Sequence, residues 1–274
     1  MQGTLYVVGT PIGNLSDFSP RAAETLREVD FIAAEDTRVT LKLLNHFQIK
    51  KPLVSYYEHN LREKGRQIIA RILAGETCAI VSDAGMPCIS DPGEDLVRLA
   101  AEAGIETIVI PGPSAAISAL CVSGLSTSRF SFEGFLSTNR KNRLEHLEQI
   151  KADPHTLIFY EAPHKLLSTL QDLLACLGDR KIALARELTK LHQEVVRTTL
   201  SEAVARYTEV APKGEFVLVL EGASVKEEPS YTLEEAIALA KQLAADGAKP
   251  SEAAKEAAEV SGFKKGEIYK GLLG

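Results

Sequence analysis

Short apolar runs alternate with helix-forming stretches along the first part of the chain, and this alternation restricts the fold more than any other feature. The runs cover residues 5–8, 31–34, 53–55, 78–81 and 107–110. Between them lie a helix opened by Ser19 as cap with Pro20 at its first position, a short helix over 41–47, a helix over 60–74 stopped by Gly75, and one over 96–103 closed by Gly104. Strands alternating with helices dictate a mainly parallel sheet covered by helices. A parallel sheet puts every turn that leaves a strand's carboxyl end on one edge, so the polar, Gly-rich or Pro-rich turns after residues 8, 34, 81 and 110 converge.

The turn after the fourth run is the richest of these. Ser82-Asp83-Ala84-Gly85-Met86-Pro87-Cys88-Ile89-Ser90-Asp91-Pro92-Gly93 leaves a buried strand and holds two acids, two prolines and two glycines. An acid placed directly after four apolar residues is costly unless something binds it, which marks Asp83 as a ligand-facing group. Asp91, followed by Pro, reads instead as the cap of the helix opening at Pro92-Gly93-Glu94. Glu35-Asp36-Thr37-Arg38 is a second polar strand end, readable either as a site loop or as a turn capped by Asp36 or Thr37. The first turn, Gly9-Thr10-Pro11-Ile12-Gly13-Asn14, lacks the Gly-x-Gly-x-x-Gly spacing of dinucleotide sites and the Gly-Lys-Ser/Thr ending of a phosphate-binding loop, which removes the main support for NAD or ATP.

Beyond a small-residue helix over 114–122 the pattern changes, and a domain boundary is placed near residue 118. Residues 130–135 alternate as a strand does, and a basic stretch, Arg140-Lys141-Asn142-Arg143, leads into a helix. Cations at a helix amino end oppose its dipole, which favours an anionic partner over an ordinary helix start. Strands follow over 156–160, 182–185, 194–200 and 215–221, with an amphipathic helix over 166–177, and Glu161 and Glu187 stand just beyond two of them. This half reads as a mixed sheet with two covering helices. Residues 222–230 have linker composition, and 231–274 reads as three short helices broken at Asp246-Gly247 and Ser261-Gly262, the first opened by a Thr232/Glu235 capping box. Such a unit resembles a helix-turn-helix with Lys264, Lys265 and Lys270 on its last helix, and it reads equally well as a helical cap or an oligomer contact. The domains expected are therefore 1–118, 119–223 and 231–274.

A net charge of −6 argues against coating nucleic acid by charge alone, so any RNA contact must be concentrated locally. The four widely spaced cysteines form no Cys-x-x-Cys pair, no histidine grouping has metal-ligand spacing, and neither a leader nor a membrane-length apolar run is evident, so the chain is expected to be cytoplasmic, with no metal and no membrane.

The segments from Leu5 to Asn14, Glu35-Asp36-Thr37-Arg38, Ser82 to Gly93 and Pro111-Gly112-Pro113-Ser114-Ala115, in that order, resemble the tetrapyrrole-methylase-like class of S-adenosylmethionine-dependent methyltransferases. Within it the chain looks like the bacterial branch that methylates a cytidine 2′-hydroxyl of small-subunit ribosomal RNA. Tetrapyrrole methylases carry Gly-Gly-Asp-Pro in the third-strand loop, and Ser82-Asp83-Ala84 departs from it while keeping the acid. The resemblance covers roughly residues 4–223 and extends to the tail. It implies two α/β domains with a cleft for S-adenosylmethionine, a homodimer, and small-subunit ribosomal RNA, within the assembled subunit, as partner. DNA is not expected, since the 2′-hydroxyl exists only in RNA.

The same resemblance implies a methyl-donor site lined on one wall by Gly9, Thr10, Pro11, Asp83, Met86, Ile89, Ser114 and Ala115, and on the other by Ala162, Leu188, Glu215 and Phe216. A 2′-hydroxyl is a poor nucleophile, so the strand-end acids Glu161, Glu35, Asp36 and Glu187 are the candidates for a general base, with Lys190 and His164 as alternatives. Arg38, Arg140, Lys141, Arg143, Arg186 and Lys190 are the cations available to phosphates. Two other readings stand beside this one: a methylase of a small tetrapyrrole, and a non-catalytic ribosome-assembly module that binds RNA.

Overall fold

The computed structural model describes residues 2–224 and 231–273, in two units, 1–223 and 224–274. Residues 225–230 of the expected linker lie outside the described residues.

The first unit contains two five-stranded sheets. In the first, β1 (Thr4–Val8), β2 (Phe31–Ala34), β3 (Leu53–Ser55), β4 (Cys78–Val81) and β5 (Glu106–Ile110) are ordered β3-β2-β4-β1-β5, every pair parallel. Its two faces are covered as the period-2 alternation of a strand requires. Val8, Ile32, Ala34, Ala79 and Val81 pack under α1 (Pro20–Glu28) and α2 (Thr37–His46). Leu5, Phe31, Ala33, Cys78 and Ile80 pack under α3 (Leu61–Leu73) and α4 (Glu94–Glu102). Ser19 caps α1 through a hydrogen bond from the Ala22 amide, and Pro20 is its first residue. α2 begins at Thr37 rather than at residue 41, because Asp36 accepts from the Arg38 amide and starts the helix a turn earlier.

In the second sheet β6 (Phe130–Phe135), β7 (Thr156–Glu161), β8 (Lys181–Arg186), β9 (Glu194–Thr199) and β10 (Phe216–Leu220) are ordered β6-β7-β10-β8-β9. The β6–β7 pair is parallel and the others antiparallel, a mixed sheet. Four helices cover it instead of two. α5 (Ala115–Ser123), within which residue 118 lies, packs Ala116, Ala119 and Leu120 on one face against Ile158, Ala183 and Val217. α6 (Arg140–Ile150), α7 (Leu166–Leu177) and α8 (Leu200–Glu209) cover the other.

α8 is absent from the sequence-based expectation, although its signal is present. Thr199 accepts from the Glu202 amide while the Glu202 carboxylate accepts from the Thr199 amide, a complete capping box at the end of β9. α6 and α7 are tied by Asp172, whose carboxylate takes Arg140 at 2.9 Å and Arg143 at 2.7 Å. Burial by itself would raise that acid, but the two guanidiniums hold it below the usual carboxylate range.

The second unit is a three-helix cluster of α9 (Leu233–Ala245), α10 (Pro250–Ser261) and α11 (Lys265–Leu273). Ala236, Ala240, Ala253, Ala254 and Ala257 are fully buried with Ile268, so the helices meet along a seam of small side chains. Lys264, Lys265 and Lys270 are exposed. Among the described residues no helix is long and apolar enough to cross a membrane.

Replacing Thr199 with Ala removes one half of the α8 capping box and should cost about 1 kcal/mol of stability. A thermal melt followed by circular dichroism should show a lowered midpoint for Thr199→Ala, and Thr199→Ser should retain most of the wild-type value.

Candidate active site

The loops after β1, β2, β4 and β5 leave neighbouring strands at one sheet edge and are stitched to one another. Thr10 and Gly85 exchange backbone hydrogen bonds of 2.8 and 3.1 Å, and the Thr10 hydroxyl donates to the Ser82 carbonyl at 3.2 Å. Gly9 lies against Gly112 so closely that a Cβ on Gly9 would sit 2.7 Å from the Gly112 Cα. Only two glycines allow the β1 and β5 loops to approach in this way. The Asp36 amide donates to the Asp83 carboxylate at 3.1 Å, which joins the β2 loop to the β4 loop.

The β4 loop is bent by four residues with positive φ: Gly85, Gly93, and the non-glycine residues Cys88 (72°) and Ser90 (64°). Two side-chain-bearing residues in this region store backbone strain, which persists only where the surroundings enforce it. The bend holds Asp83, Met86, Ile89 and Asp91 along one wall of a cavity of about 520 Å³. The opposite wall comes from the second sheet, through Tyr160, Glu161 and Ala162 at the end of β7, Leu188 beyond β8, and Glu215 and Phe216 at the start of β10. Because β10 runs antiparallel to β7 and β8, its beginning meets their ends at one edge.

Three carboxylates give the first wall its character. Burial pushes Glu35 up, with Asp91 and Asp83 adding repulsion. Asp83 is raised by burial as well. Asp91 is pushed up to about 6, chiefly by burial and further by Asp83, against a hydrogen bond from Ser82. A wall of acids that resist ionisation together suits a cationic guest. On the other wall Glu161, only 4% exposed, accepts from the Ala162 amide at 2.8 Å and from the Thr169 hydroxyl at 2.5 Å. Tyr160 accepts from the Ala116 amide at 3.2 Å and is flanked edge-on by Phe132 and Phe135. Among the described residues no group of three or more His, Cys, Asp or Glu side chains is placed to hold a metal.

Residues 4–204 match the family model described as Tetrapyrrole (Corrin/Porphyrin) Methylases. The chain belongs to the tetrapyrrole methylase family. Its sequence is 49% identical to a "Ribosomal RNA small subunit methyltransferase I" of Synechocystis sp. over 98% of this chain and 96% of that protein. It is 46% identical to the protein so named in Escherichia coli O157:H7, over 99% and 95%. The protein so named in Thermotoga maritima is 51% identical over 220 residues, 80% of this chain and 99% of that protein. Among solved structures, the uroporphyrin III C-methyl transferase of Thermus thermophilus superposes with a TM-score of 0.57 at 18% identity, over 80% of this chain and 97% of that one. A diphthine synthase does so at 0.59 and 16%, over 80% and 89%. At those identities the likeness is one of fold.

In this tetrapyrrole methylase fold most of the expected donor-site residues come together. Asp83, Met86, Ile89, Ser114, Ala115, Ala162, Leu188, Glu215 and Phe216 line the cavity. Gly9 and Thr10 support it from behind through the loop contacts above, and neither they nor Pro11 lines it. Of the four acids considered as bases, Glu161 and Glu35 line the cavity. Asp36 is spent as the α2 cap and on a 2.6 Å pair with Arg38, which holds it down to about 2. Glu187 is held low by the Glu215 amide and by Lys190, whose Nζ bridges Glu187 and Glu215 at 3.0 and 2.9 Å. His164 is exposed and does not line the cavity.

The cations divide as sharply. Arg38, Arg140 and Lys141 keep 86%, 69% and 84% of their side chains exposed, Arg38 while paired to Asp36 and Arg140 while paired to Asp172. Arg143 is not available to phosphate, being buried between Asp172 and the Ser137 carbonyl, and Arg186 and Lys190 are turned to carboxylates. Asp91 was not among the expected site residues, and its expected capping role fails. Gly93 occupies the N-cap of α4, two residues further on, which leaves the Asp91 carboxylate to the cavity. The signal that finds Asp91 is the one that found Asp83, an acid inside the loop that follows a wholly buried strand. Tyr160 was read only as part of a strand.

Asp91 binds its proton more tightly when folded than unfolded, so between its ordinary 3.8 and about 6 the folded state holds the extra proton. Its contribution to stability is therefore complete below pH 4 and is lost as the pH rises through 6. Asp91→Asn should remove that decline. Denaturant titrations at pH 4, 5, 6 and 7 should show the variant gaining on wild type as the pH rises.

Proposed function

We propose that this chain transfers a methyl group from S-adenosylmethionine to the ribose 2′-hydroxyl of a cytidine in small-subunit ribosomal RNA. The observation that carries the reading is the likeness, close to half the residues over nearly the whole chain, to proteins named for methylation of that RNA. The uroporphyrin enzymes share only the fold, which disfavours a tetrapyrrole as substrate. The Thermotoga relative is matched over 220 residues, a length close to that of the α/β unit, so the transfer chemistry is assigned to residues 1–223.

The cavity fits the donor. Its volume falls within the roughly 300–1,000 Å³ of small-molecule sites, and its acids complement a positive charge. When bound, the donor supplies a methyl group on a cationic sulfur, ready for in-line displacement. Asp83 and Asp91 favour that charge, Met86, Ile89 and Leu188 exclude water, and Ser114 and Ala115 allow close approach of the α5 amino end.

Glu35 is assigned the proton of the attacking hydroxyl. Burial and the neighbouring acids raise its proton affinity, and its carboxylate receives only a long 3.5 Å contact from the Asp83 amide. Glu161 has both oxygens engaged by Ala162 and Thr169, and its role is to fix the β7–α7 turn that forms the far wall. Arg38, Arg140 and Lys141 hold phosphates. The substrate is the assembled subunit, and the enzyme acts as a homodimer. α5 supports the latter, since it buries Ala116, Ala119 and Leu120 but leaves Ile117, Cys121 and Val122 in solvent.

Labelled S-adenosylmethionine incubated with small subunits lacking the modification, with naked RNA and a tetrapyrrole in parallel, tests the reading. Label on the subunit that maps to an alkali-resistant linkage is expected, and label confined to the tetrapyrrole overturns the assignment. Glu35→Gln should lower the transfer rate by roughly 10²- to 10⁴-fold, the range of a positioned general base. Donor affinity should survive, as measured by calorimetry. A Glu35→Gln enzyme with wild-type turnover would remove Glu35 from the chemistry.

A further inference from the structure

The turn after β3 carries an arrangement that methyl transfer in the cavity leaves unused. β3 ends at Ser55, and two tyrosines follow. Tyr56 continues the ladder by donating its amide to the Ala34 carbonyl at 2.8 Å, and it buries its ring with the hydroxyl bonded to Asp95 of α4. Neighbouring side chains of extended backbone point to opposite sides, so Tyr57 is turned out and is 42% exposed. Asn60 locks the turn from both ends. Its side chain accepts from the Tyr57 amide at 3.0 Å and donates to the Ser55 carbonyl at 3.1 Å. Inside the turn the rings of Tyr57 and His59 meet edge to face, with centroids 6.1 Å apart and planes at 83°.

Single exposed aromatic rings need no explanation. Two in mutual contact, on a turn pinned by a buried neighbour and a side-chain lock, form a preorganised π surface. Its location gives it a use. β3 is the strand next to β2, and the residue after β2, Glu35, lines the cavity. Arg62, in the first turn of α3, is exposed just beyond this turn, while Glu58 and Glu63 offset it. A segment of mixed charge is a poor general phosphate grip, and stacking is what it offers instead.

We propose that Tyr57 and His59 form a stacking platform for an unpaired nucleobase of the substrate RNA, holding the strand so that the target ribose enters the cavity. The proposal rests on the RNA reading above. A ribose hydroxyl inside a helix cannot reach an enclosed site, so the nucleotide must be splayed from its neighbours, and a freed base finds its stack on protein aromatic rings. The platform positions substrate and takes no part in the chemistry.

The test compares wild type with Tyr57→Ala/His59→Ala and with Tyr57→Phe. Readouts are the KM and kcat for undermethylated subunits, donor affinity without RNA, and the binding of a fluorescent single-stranded cytidine-containing oligonucleotide by anisotropy. The double variant should raise KM and weaken oligonucleotide binding roughly 10- to 100-fold, the size of a lost base stack. Its kcat and donor affinity should stay at wild-type values, and Tyr57→Phe should behave as wild type because it keeps the ring. A double variant with wild-type KM and oligonucleotide binding overturns the platform, as does a Tyr57→Phe enzyme as impaired as the alanine variant. If wild type labels no subunit, the RNA-methylation reading fails. The oligonucleotide then decides the platform alone, with equal binding by wild type and double variant refuting it and weaker binding by the variant sustaining it.

Discussion

The close approach of Gly9 to Gly112, together with the Thr10–Gly85 backbone bridge, is the contact on which the site depends. Loops at the carboxyl edge of a parallel sheet diverge unless something holds them, because each runs on to a helix on one face or the other. Here three are joined backbone to backbone, and the fourth is attached through the Asp36 amide on Asp83. Any side chain at residue 9 or 112 would put a Cβ under 3 Å from the facing backbone and force the loops apart, and the β4 loop, tied to Thr10, would move with them. The bent path through Cys88 and Ser90 is thus enforced from its base, and the positions of Asp83 and Asp91 follow from it.

Charge is distributed in keeping with that geometry. Of the acids facing the cavity, Glu35, Asp83 and Asp91 are raised by burial, Glu35 and Asp91 further by neighbouring acids, whereas Asp36, Asp172 and Glu187 each have a cationic partner and sit low. At Glu35 and Asp36 the two kinds of acid are adjacent in the chain. Asp36 takes both the helix cap and Arg38, and the Glu35 carboxylate next to it faces the cavity.

The first sheet was legible almost strand for strand, since its inner strands β2 and β4 are wholly buried and its strands appear as short apolar runs such as Phe31–Ala34 and Cys78–Val81. The convergence of four loops followed from parallel topology alone. What was not legible depended on local competition between equivalent signals. Asp91 before Pro92-Gly93 carries the chemistry of a helix cap, and only the three-dimensional bend, in which Gly93 takes that place, frees it for the cavity. α8 was overlooked because Thr199 ends one element and caps the next, so a strand pattern covered the helix signal. The cluster of Arg140, Lys141 and Arg143 looked uniform in sequence, yet the helical turn sends Arg143 inward to Asp172 and leaves Lys141 outside.

The overall negative charge now has a structural meaning for an enzyme assigned to RNA. Phosphates brought close to the cavity's carboxylates would meet like charge, and the two are repelled at close range. In the fold Glu35, Asp83 and Asp91 line the cavity, whereas the exposed cations Arg38, Arg140 and Lys141 do not. The stacking platform proposed on Tyr57 and His59 would add affinity for RNA through its rings, without adding cations.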